Sequence, residues 1–408
     1  MFRKKKDDIK GSLSKMAWWR FRRNPLAFGS FVFILVSALA AILGYLITPD
    51  STPFANHQQL ELATHKPGYN AQLLLVAKNR EPENISFIRK MIWGSPEDHT
   101  SIPIQHFWFV DAWLYYETYA GQPGYPGLEN RVWLPDVLFA LEHGQEPGEV
   151  KNDSISFLTH SGEKQTMAAA DMQQQIEQKQ IVVRRFLLGT DRFGRDMLSQ
   201  LVIGARVSLS VGFIAVFISL VIGVTLGSLA GYFRGWLDDL IMWLINVIWS
   251  IPTLLLVIAI TFAIGKGFWQ VFLAVGLTMW VDVARVARGQ VLSLREKEFV
   301  EAGRALGLGS FRIITRHILP NIMGPVIVIS AANFASAILI EAGLSFLGIG
   351  VQPPMPSWGT MIREHYGYII LDKGYLAFLP GIMIMLMVLS FMMVGNGLRD
   401  ALDKTPQF

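Results

Sequence analysis

The sequence has 408 residues, 51% of them hydrophobic and 17% charged, with a formal net charge of +4 and a mean hydropathy of +0.35. It contains no cysteine, which excludes a disulfide framework and a thiolate metal site. The basic residues cluster beside apolar runs, as they do at the inner flanks of membrane spans, so the charge points to a lipid bilayer and not to nucleic acid.

Residues 1–25 read as a cytoplasmic basic arm carrying Arg3, Lys4, Lys5, Lys6, Lys10, Lys15, Arg20, Arg22 and Arg23. Trp18 and Trp19 stand where an aromatic pair would rest at headgroup level. Residues 26–47 are uncharged and apolar, and about 20 helical residues cross a hydrocarbon core of ~30 Å. This predicts a first transmembrane helix with its N-terminus inside. The run is too long for a signal-peptide core and lacks a small-residue cleavage pattern, so no cleavable leader is expected.

Residues 48–186 are soluble in character and predict an extracytoplasmic region of mixed fold. Its middle is rich in aromatics: Phe107, Trp108, Phe109, Trp113, Tyr115, Tyr116, Tyr119, Tyr125 and Trp133. Such a cluster is too irregular for a span and too apolar to stay solvated. It should fold locally as a cap that touches a partner, since exposed Trp and Tyr favour interfaces. Residues 164–180 read as a polar helix. His57, His65, His99, His106, His143 and His160 fall in this region, but none are spaced as metal ligands, so no metal site is expected.

Residues 187–408 form the remaining helical core. Residues 188–196 are a charged, glycine-containing turn, followed by a short amphipathic helix and a second span over 207–233. Gly223, Gly227 and Gly231 recur every four residues, a small-residue face for close helix packing. The third span, 240–264, should be kinked by Pro252. The fourth covers 268–284, with Asp282 and Arg285 at its inner end. The fifth covers 322–349, interrupted by Pro325 and by Glu341. A proline-rich outside turn containing Ser357 and Trp358 follows, then a sixth span over 376–394, with Arg399 and Lys404 inside. Both termini are then cytoplasmic. Arg184, Arg185, Arg192, Arg195 and Arg206 run against this orientation, but the charge rule weakens across long translocated loops.

Between the fourth and fifth spans lies a polar segment, 296–321. Residues 298–306 predict a short helix with Phe299, Ala302, Ala305 and Leu306 on one face and Glu298, Glu301 and Arg304 off it. Ala302 and Gly303 are small enough for a partner's backbone to come close. Gly307 and Gly309 allow a turn that most residues resist. Ser310 should cap a second helix over 311–319, which contains Arg312, and Pro320 ends it or opens the next. Arg285, Arg288, Arg295, Lys297, Arg304, Arg312 and Arg316 place the segment inside.

The order Glu301-Ala302-Gly303, then Gly307, then Leu319-Pro320 resembles the cytoplasmic coupling motif of ATP-binding-cassette (ABC) importer permeases. Two positions depart from it: Gly303 stands for the usual third alanine, and His317 for an apolar residue. Arg22-Arg23-Asn24-Pro25, residues 188–196, residues 341–350 with 353–359, and residues 397–403 occur in the same order as in the family. Over residues 20–47 and 184–408 the chain resembles the C-type inner-membrane permease subunit of oligopeptide, dipeptide and nickel ABC importers.

The resemblance implies an all-α integral membrane protein with six transmembrane helices in the bacterial cytoplasmic membrane. It implies a second related permease subunit, two ABC ATPase subunits and an extracytoplasmic substrate-binding protein as partners. Cargo would be peptides, with nickel or another small solute as the alternative. No Gly-x-x-x-x-Gly-Lys-Ser/Thr phosphate loop occurs, so ATP and magnesium would sit on the partner ATPases and this chain would bind no cofactor and be no enzyme. A carboxylate such as Glu341 costs about 2–3 kcal/mol at the bilayer centre. It should therefore face protein or water, at the outer end of the path against Ser357 and Trp358. More distant readings are a secondary transporter, which would carry several buried ionisable residues and a repeat, and a membrane-anchored sensor or scaffold.

Overall fold

The computed structural model describes residues 13–80, 85–122, 124–142, 153–265 and 267–402. Arg3, Lys4, Lys5, Lys6, Lys10, His143 and Lys404 lie outside the described residues. The chain divides into two compact units, one of Met1–Ala41, Gly204–Tyr366 and Ala377–Phe408, the other of Ile42–Ile203 and Gly367–Leu376.

The described part of the basic arm is helical: α1 (Leu13–Arg23) precedes α2 (Pro25–Ile47). Asn24 separates them, its side-chain oxygen accepting the Ala27 N–H at 3.2 Å. Pro25 occupies a first-turn position that needs no donor. The 23 residues of α2 span about 34 Å at 1.5 Å per residue, enough for the hydrocarbon core.

The second unit contains β1 (Tyr69–Ala77), α3 (Phe87–Trp93), β2 (His99–Val110), β3 (Trp113–Thr118), β4 (Glu129–Trp133), α4 (Leu134–Leu138), β5 (Ser154–Leu158), β6 (Lys164–Ala168), α5 (Ala169–Gln175) and β7 (Ile181–Phe186). Five strands form an antiparallel sheet in the order β4-β3-β2-β1-β7, and β5 pairs with β6. Alternation along the strands sends Leu74, Ile104, Leu114 and Tyr116 inward, where they meet Trp133, Leu134, Ile155, Phe157, Met172 and Ile176. The expected polar helix over 164–180 is corrected. Lys164–Ala168 is a strand held against Ser154–Leu158, with Ser156 and Thr166 hydroxyls 2.8 Å apart. Pairing across a turn outweighs local helix propensity there. Helix begins only at Ala169, where Met172 and Ile176 supply a buried face.

Helix α6 (Met197–Phe233) is one helix of 37 residues, in the first unit from Gly204 onward. The expected amphipathic helix and second span are therefore continuous, because no proline interrupts residues 197–233. Then come α7 (Gly235–Trp249) and α8 (Thr253–Ile264), which meet at 94°. The expected third span is thus a sharply bent pair and not a kinked rod. Pro252 lacks an amide donor and disfavours helical backbone at the residue before it. The fourth helix, α9 (Phe268–Arg295), runs well past its expected end.

There follow α10 (Glu298–Ala305), α11 (Ser310–Ile313), α12 (Leu319–Phe346), α13 (Trp358–His365) and α14 (Tyr375–Leu402). A π turn over Ile314–Ile318 joins α11 to α12, so the second coupling helix and the fifth span form one apolar stretch. Pro325 lies inside α12 without ending it. Among the described residues five helices are long and apolar enough to cross a membrane, or six if the bent pair counts as one span.

Candidate functional site

The segment between α9 and α12 is braced on its own unit. Val300 of α10 joins Ile313, Ile314, Ile318 and Ile322 in a buried cluster with Tyr232 of α6 and Ala287 and Val291 of α9. The turn after α10 is a complete Schellman cap: Leu308 N–H donates to Gly303 C=O at 3.0 Å and Gly307 N–H to Arg304 C=O at 2.9 Å. Gly307 sits at φ +74°, a backbone that strains any side chain with a Cβ.

Gly303 is turned inward. A Cβ there would lie 3.6 Å from Leu308 Cδ1 and 3.8 Å from Ile313 Cγ1, ordinary contact distances, so an alanine would fit and only a larger side chain would disturb the chain's own packing. Ser310 is the first residue of α11 and makes no side-chain cap; Gly309, in extended backbone, holds the cap position. Pro320 opens α12 in its first turn.

What faces outward is Glu301, Ala302, Arg304, Ala305 and Arg312, with Arg304 packed over the Tyr232 ring at 5.3 Å. Beside them stand three apolar side chains: Phe299, 41% exposed, and Leu306 and Phe311, each 81% exposed. The face of Phe299, Ala302, Ala305 and Leu306 therefore stays uncovered in this chain. Two ion pairs stiffen its base. Arg234 donates to Glu296 at 2.7 Å, and Arg288 grips Asp238 through two bonds of 2.6 and 2.7 Å, the bidentate geometry that fixes orientation best.

Glu341 lies on α12, fully buried. Ser208 of α6 donates to its Oε2 at 3.1 Å and Ser345 to its Oε1 at 2.7 Å, and Ser357, at the start of α13, reaches the Ser345 hydroxyl at 3.4 Å. Ser357 also caps α13, accepting the Thr360 N–H at 3.2 Å while its own N–H donates to Thr360 Oγ1 at 2.8 Å. Trp358 is fully buried beside Gly204. Gly359 allows α13 to reach α12, because a Cβ there would stand 2.7 Å from the Ala342 backbone. Three helices thus converge on one carboxylate. Ser345, four residues along the same helix, could have been read from the sequence; Ser208, in a distant apolar run, carried no signal.

Gly223, Gly227 and Gly231 lie against α9. A Cβ at Gly223 would meet Trp280 C=O at 2.7 Å, one at Gly227 would strike Ala284 C=O, and one at Gly231 would meet Arg288 C=O at 2.9 Å. A cavity of about 250 Å³ opens at the α7–α8 bend, lined by Trp249, Thr253, Thr278, Asp282, Ser336 and Ile340 among others. Of its polar residues Asp282 was singled out in the sequence, whereas Thr253, Thr278 and Ser336 were not, because single hydroxyls in apolar helices look like packing.

In the second unit, residues 188–196 form a closed polar loop. Asp191 accepts the Phe193 and Arg195 amides at 2.8 and 2.9 Å and pairs with Arg195 at 2.5 Å. Asp196 caps α6 by accepting the Ser199 N–H at 2.8 Å. Burial pushes the Asp196 carboxyl above its ordinary range, opposed by the Ser199 bonds and the Arg184 charge. The arginines that ran against the charge rule are partly accounted for: Arg195 is paired inside the loop, and Arg206, in the other unit, donates to Ala41 C=O at 2.9 Å.

Residues 223–406 match the family described as the binding-protein-dependent transport system inner membrane component. Residues 12–67 match the N-terminal transmembrane domain of oligopeptide transport permease C. The dipeptide transport system permease protein DppC of Alkalihalophilus pseudofirmus is 45% identical over 215 residues, 53% of this chain and 70% of that protein. The glutathione transport system permease GsiD of Pectobacterium atrosepticum is 40% identical over 216 residues, 53% of this chain and 71% of its own. The oligopeptide transport system permease OppC of Bacillus subtilis is 39% identical over 215 residues, 53% and 70% of the two chains. Most of the β-sheet unit lies outside both family matches. The chain belongs to the binding-protein-dependent inner-membrane components of ABC importers, as a multi-pass permease subunit of the oligopeptide and dipeptide C type without a catalytic domain of its own.

Proposed function

We propose that this chain forms half of a peptide translocation path with a second, related permease, and that two ATPase subunits drive it from the cytoplasmic side. An extracytoplasmic binding protein delivers di- or oligopeptides. ATP and magnesium are held by the ATPase subunits, and both termini of this chain face the cytoplasm of a bacterial cell. The observation that carries this reading is the outward face of the 296–321 segment: Phe299, Leu306 and Phe311 exposed around a rigid Schellman turn, ringed by Glu301, Arg304 and Arg312. An apolar centre with a polar rim is how protein interfaces are built. The continuity of α11 with α12 gives that surface a stiff route into the fifth span.

Glu341, Ser357 and Trp358 serve in this reading as the outer brace of the path, and the polar cavity at the α7–α8 bend as part of its lining. The outward aromatic face of the sheet unit, where Trp108 stacks on Tyr115 at 5.8 Å and Arg131 covers Trp113 at 4.4 Å, serves as a cap that meets the companion permease or the binding protein.

Leu306→Asp and Phe311→Asp test the coupling surface, since both positions are too exposed to disturb folding. The expected outcome is a correctly inserted permease whose ATPase subunits detach or hydrolyse ATP without uptake. Parental subunit stoichiometry, substrate-stimulated hydrolysis and transport in both variants would falsify it. Gly303→Trp is the weaker probe, because it would damage the chain's own packing.

A further inference from the structure

An ordinary surface helix hides its apolar arc, but α3 does the reverse. Phe87, Ile88, Ile92 and Trp93 are 68%, 64%, 45% and 67% exposed, and none of its seven residues is buried. At 100° per residue, Phe87, Met91, Ile88 and Ile92 share one arc, while Arg89 and Trp93 lie together on the opposite side. The helix is well formed in spite of this: Ser86 accepts the Arg89 N–H at 3.3 Å, and Gly94 ends it at φ +79°.

Its level is fixed by the chain. A Cβ at Gly94 would stand 2.6 Å from Ser51 C=O, and the Ser95 N–H donates to that same carbonyl at 2.8 Å. Residues 50–55 in turn fold back on the end of α2: Phe54 N–H donates to the Tyr45 hydroxyl at 2.9 Å, and Ala55 packs with Tyr45 and Ile203. Tyr45 lies two residues before the end of a helix whose length matches the hydrocarbon core. The C-terminal end of α3 is thus tied to the segment that leaves the last turn of a membrane span.

We infer that α3 is an interfacial anchor, laying its outward Phe87, Ile88 and Ile92 on the leaflet at which α2 ends, with Arg89 and Trp93 at the headgroups. The occupant of this face is lipid. Large apolar side chains beside Arg and Trp are the composition of helices that lie in a bilayer interface, and the anchoring to α2 puts them where that interface is. This does not depend on the cargo or on the coupling reading.

The absence of cysteine makes the test direct. Ile88→Cys and Ile92→Cys, and Ser161→Cys in the exposed β5–β6 turn, each take a single environment-sensitive fluorophore. The full-length variants are reconstituted in phosphatidylcholine/phosphatidylglycerol vesicles and again as the complex with companion permease and ATPases. At positions 88 and 92 we expect blue-shifted emission, quenching by doxyl lipid about twofold stronger than at position 161, and matching protection from aqueous iodide, in both preparations. Iodide quenching equal to that at position 161 would overturn the proposal by leaving the face in water. Protection that appears only in the complex, without doxyl quenching, would overturn it in favour of a protein partner.

Discussion

Where α6 crosses α9 the interface is made of missing side chains, whereas the sheet unit fills its interior with large ones. Gly223, Gly227 and Gly231 bring the α6 backbone against α9 carbonyls. Leu114, Trp133, Phe157 and Met172 do the corresponding work in the sheet unit by bulk. The solvents explain the contrast. Lipid tails are as apolar as leucine, so helices in a bilayer gain by close backbone contact. A unit that folds in water gains by removing apolar area from it, about 25 cal/mol per Å². One unit is therefore vulnerable to additions and the other to deletions.

The largest expected effect is a deletion in the sheet unit. Trp133→Ala empties a site that is 2% exposed and should cost about 3–5 kcal/mol. Limited proteolysis of the full chain should then cut within residues 60–180 while the transmembrane helices stay intact. A parental cleavage pattern would show that the unit does not depend on its large side chains.

The addition comes next. Gly227→Leu drives a Cβ into the Ala284 carbonyl, a backbone atom that cannot rotate away, so the loss should reach the upper end of the ~1–3 kcal/mol of overpacking. Gly29→Leu is the control, because among the described residues no atom lies within 4 Å of its added Cβ. Monodispersity and thermal midpoint in detergent should fall for the first and hold for the second. Equal behaviour would remove the small-residue account of the α6–α9 contact.

The Glu341 cluster is where the first unit uses polarity instead of close backbones. Glu341→Gln keeps an acceptor for the surrounding hydroxyls and should change stability little. Glu341→Leu leaves Ser208 and Ser345 without their partner, a loss of about 1–3 kcal/mol. Should the leucine variant melt with the parent, the carboxylate is not what holds α6, α12 and α13 together.

The two units also differed in how far they could be read from residues alone. Spans announce themselves by composition, so α2, α9 and α14 were visible, though the polar inner end of α9 hid its true length. The continuity of the first turns of α6 with the second span was hidden for another reason. Gln200 looks like a solvated residue until its amide is seen donating to Phe54 C=O at 3.0 Å and to Ala55 C=O. In the sheet unit, strand β6 depended on a partner ten residues away, and no local pattern shows that. Over residues 296–321 the two short helices and the glycine turn between them were legible. The sequence could not say which way Gly303 points, because a small residue suits an inward contact as well as an outward one.

Asp196, at the start of α6, carries the smallest expected effect. Its buried carboxyl has a folded-state pKa raised above the ordinary 3.8, with burial as the main cause. The folded protein therefore keeps this proton over a range in which the unfolded chain has lost it. The stabilising contribution is full below the unfolded value and is lost as pH rises through the folded one. Asp196→Asn keeps an oxygen for the Ser199 N–H and Oγ–H and is neutral throughout. Its thermal midpoint should depend less on pH than the parent's as pH rises from the ordinary carboxylate value of 3.8. Asp196→Ala is equally free of the titration but loses the cap, about 1 kcal/mol, so its curve should run parallel to that of the asparagine variant and below it. If parent and Asp196→Asn show the same slope, the carboxyl is not protonated in the folded state. If alanine matches asparagine, the start of α6 is held by its packing and not by the cap.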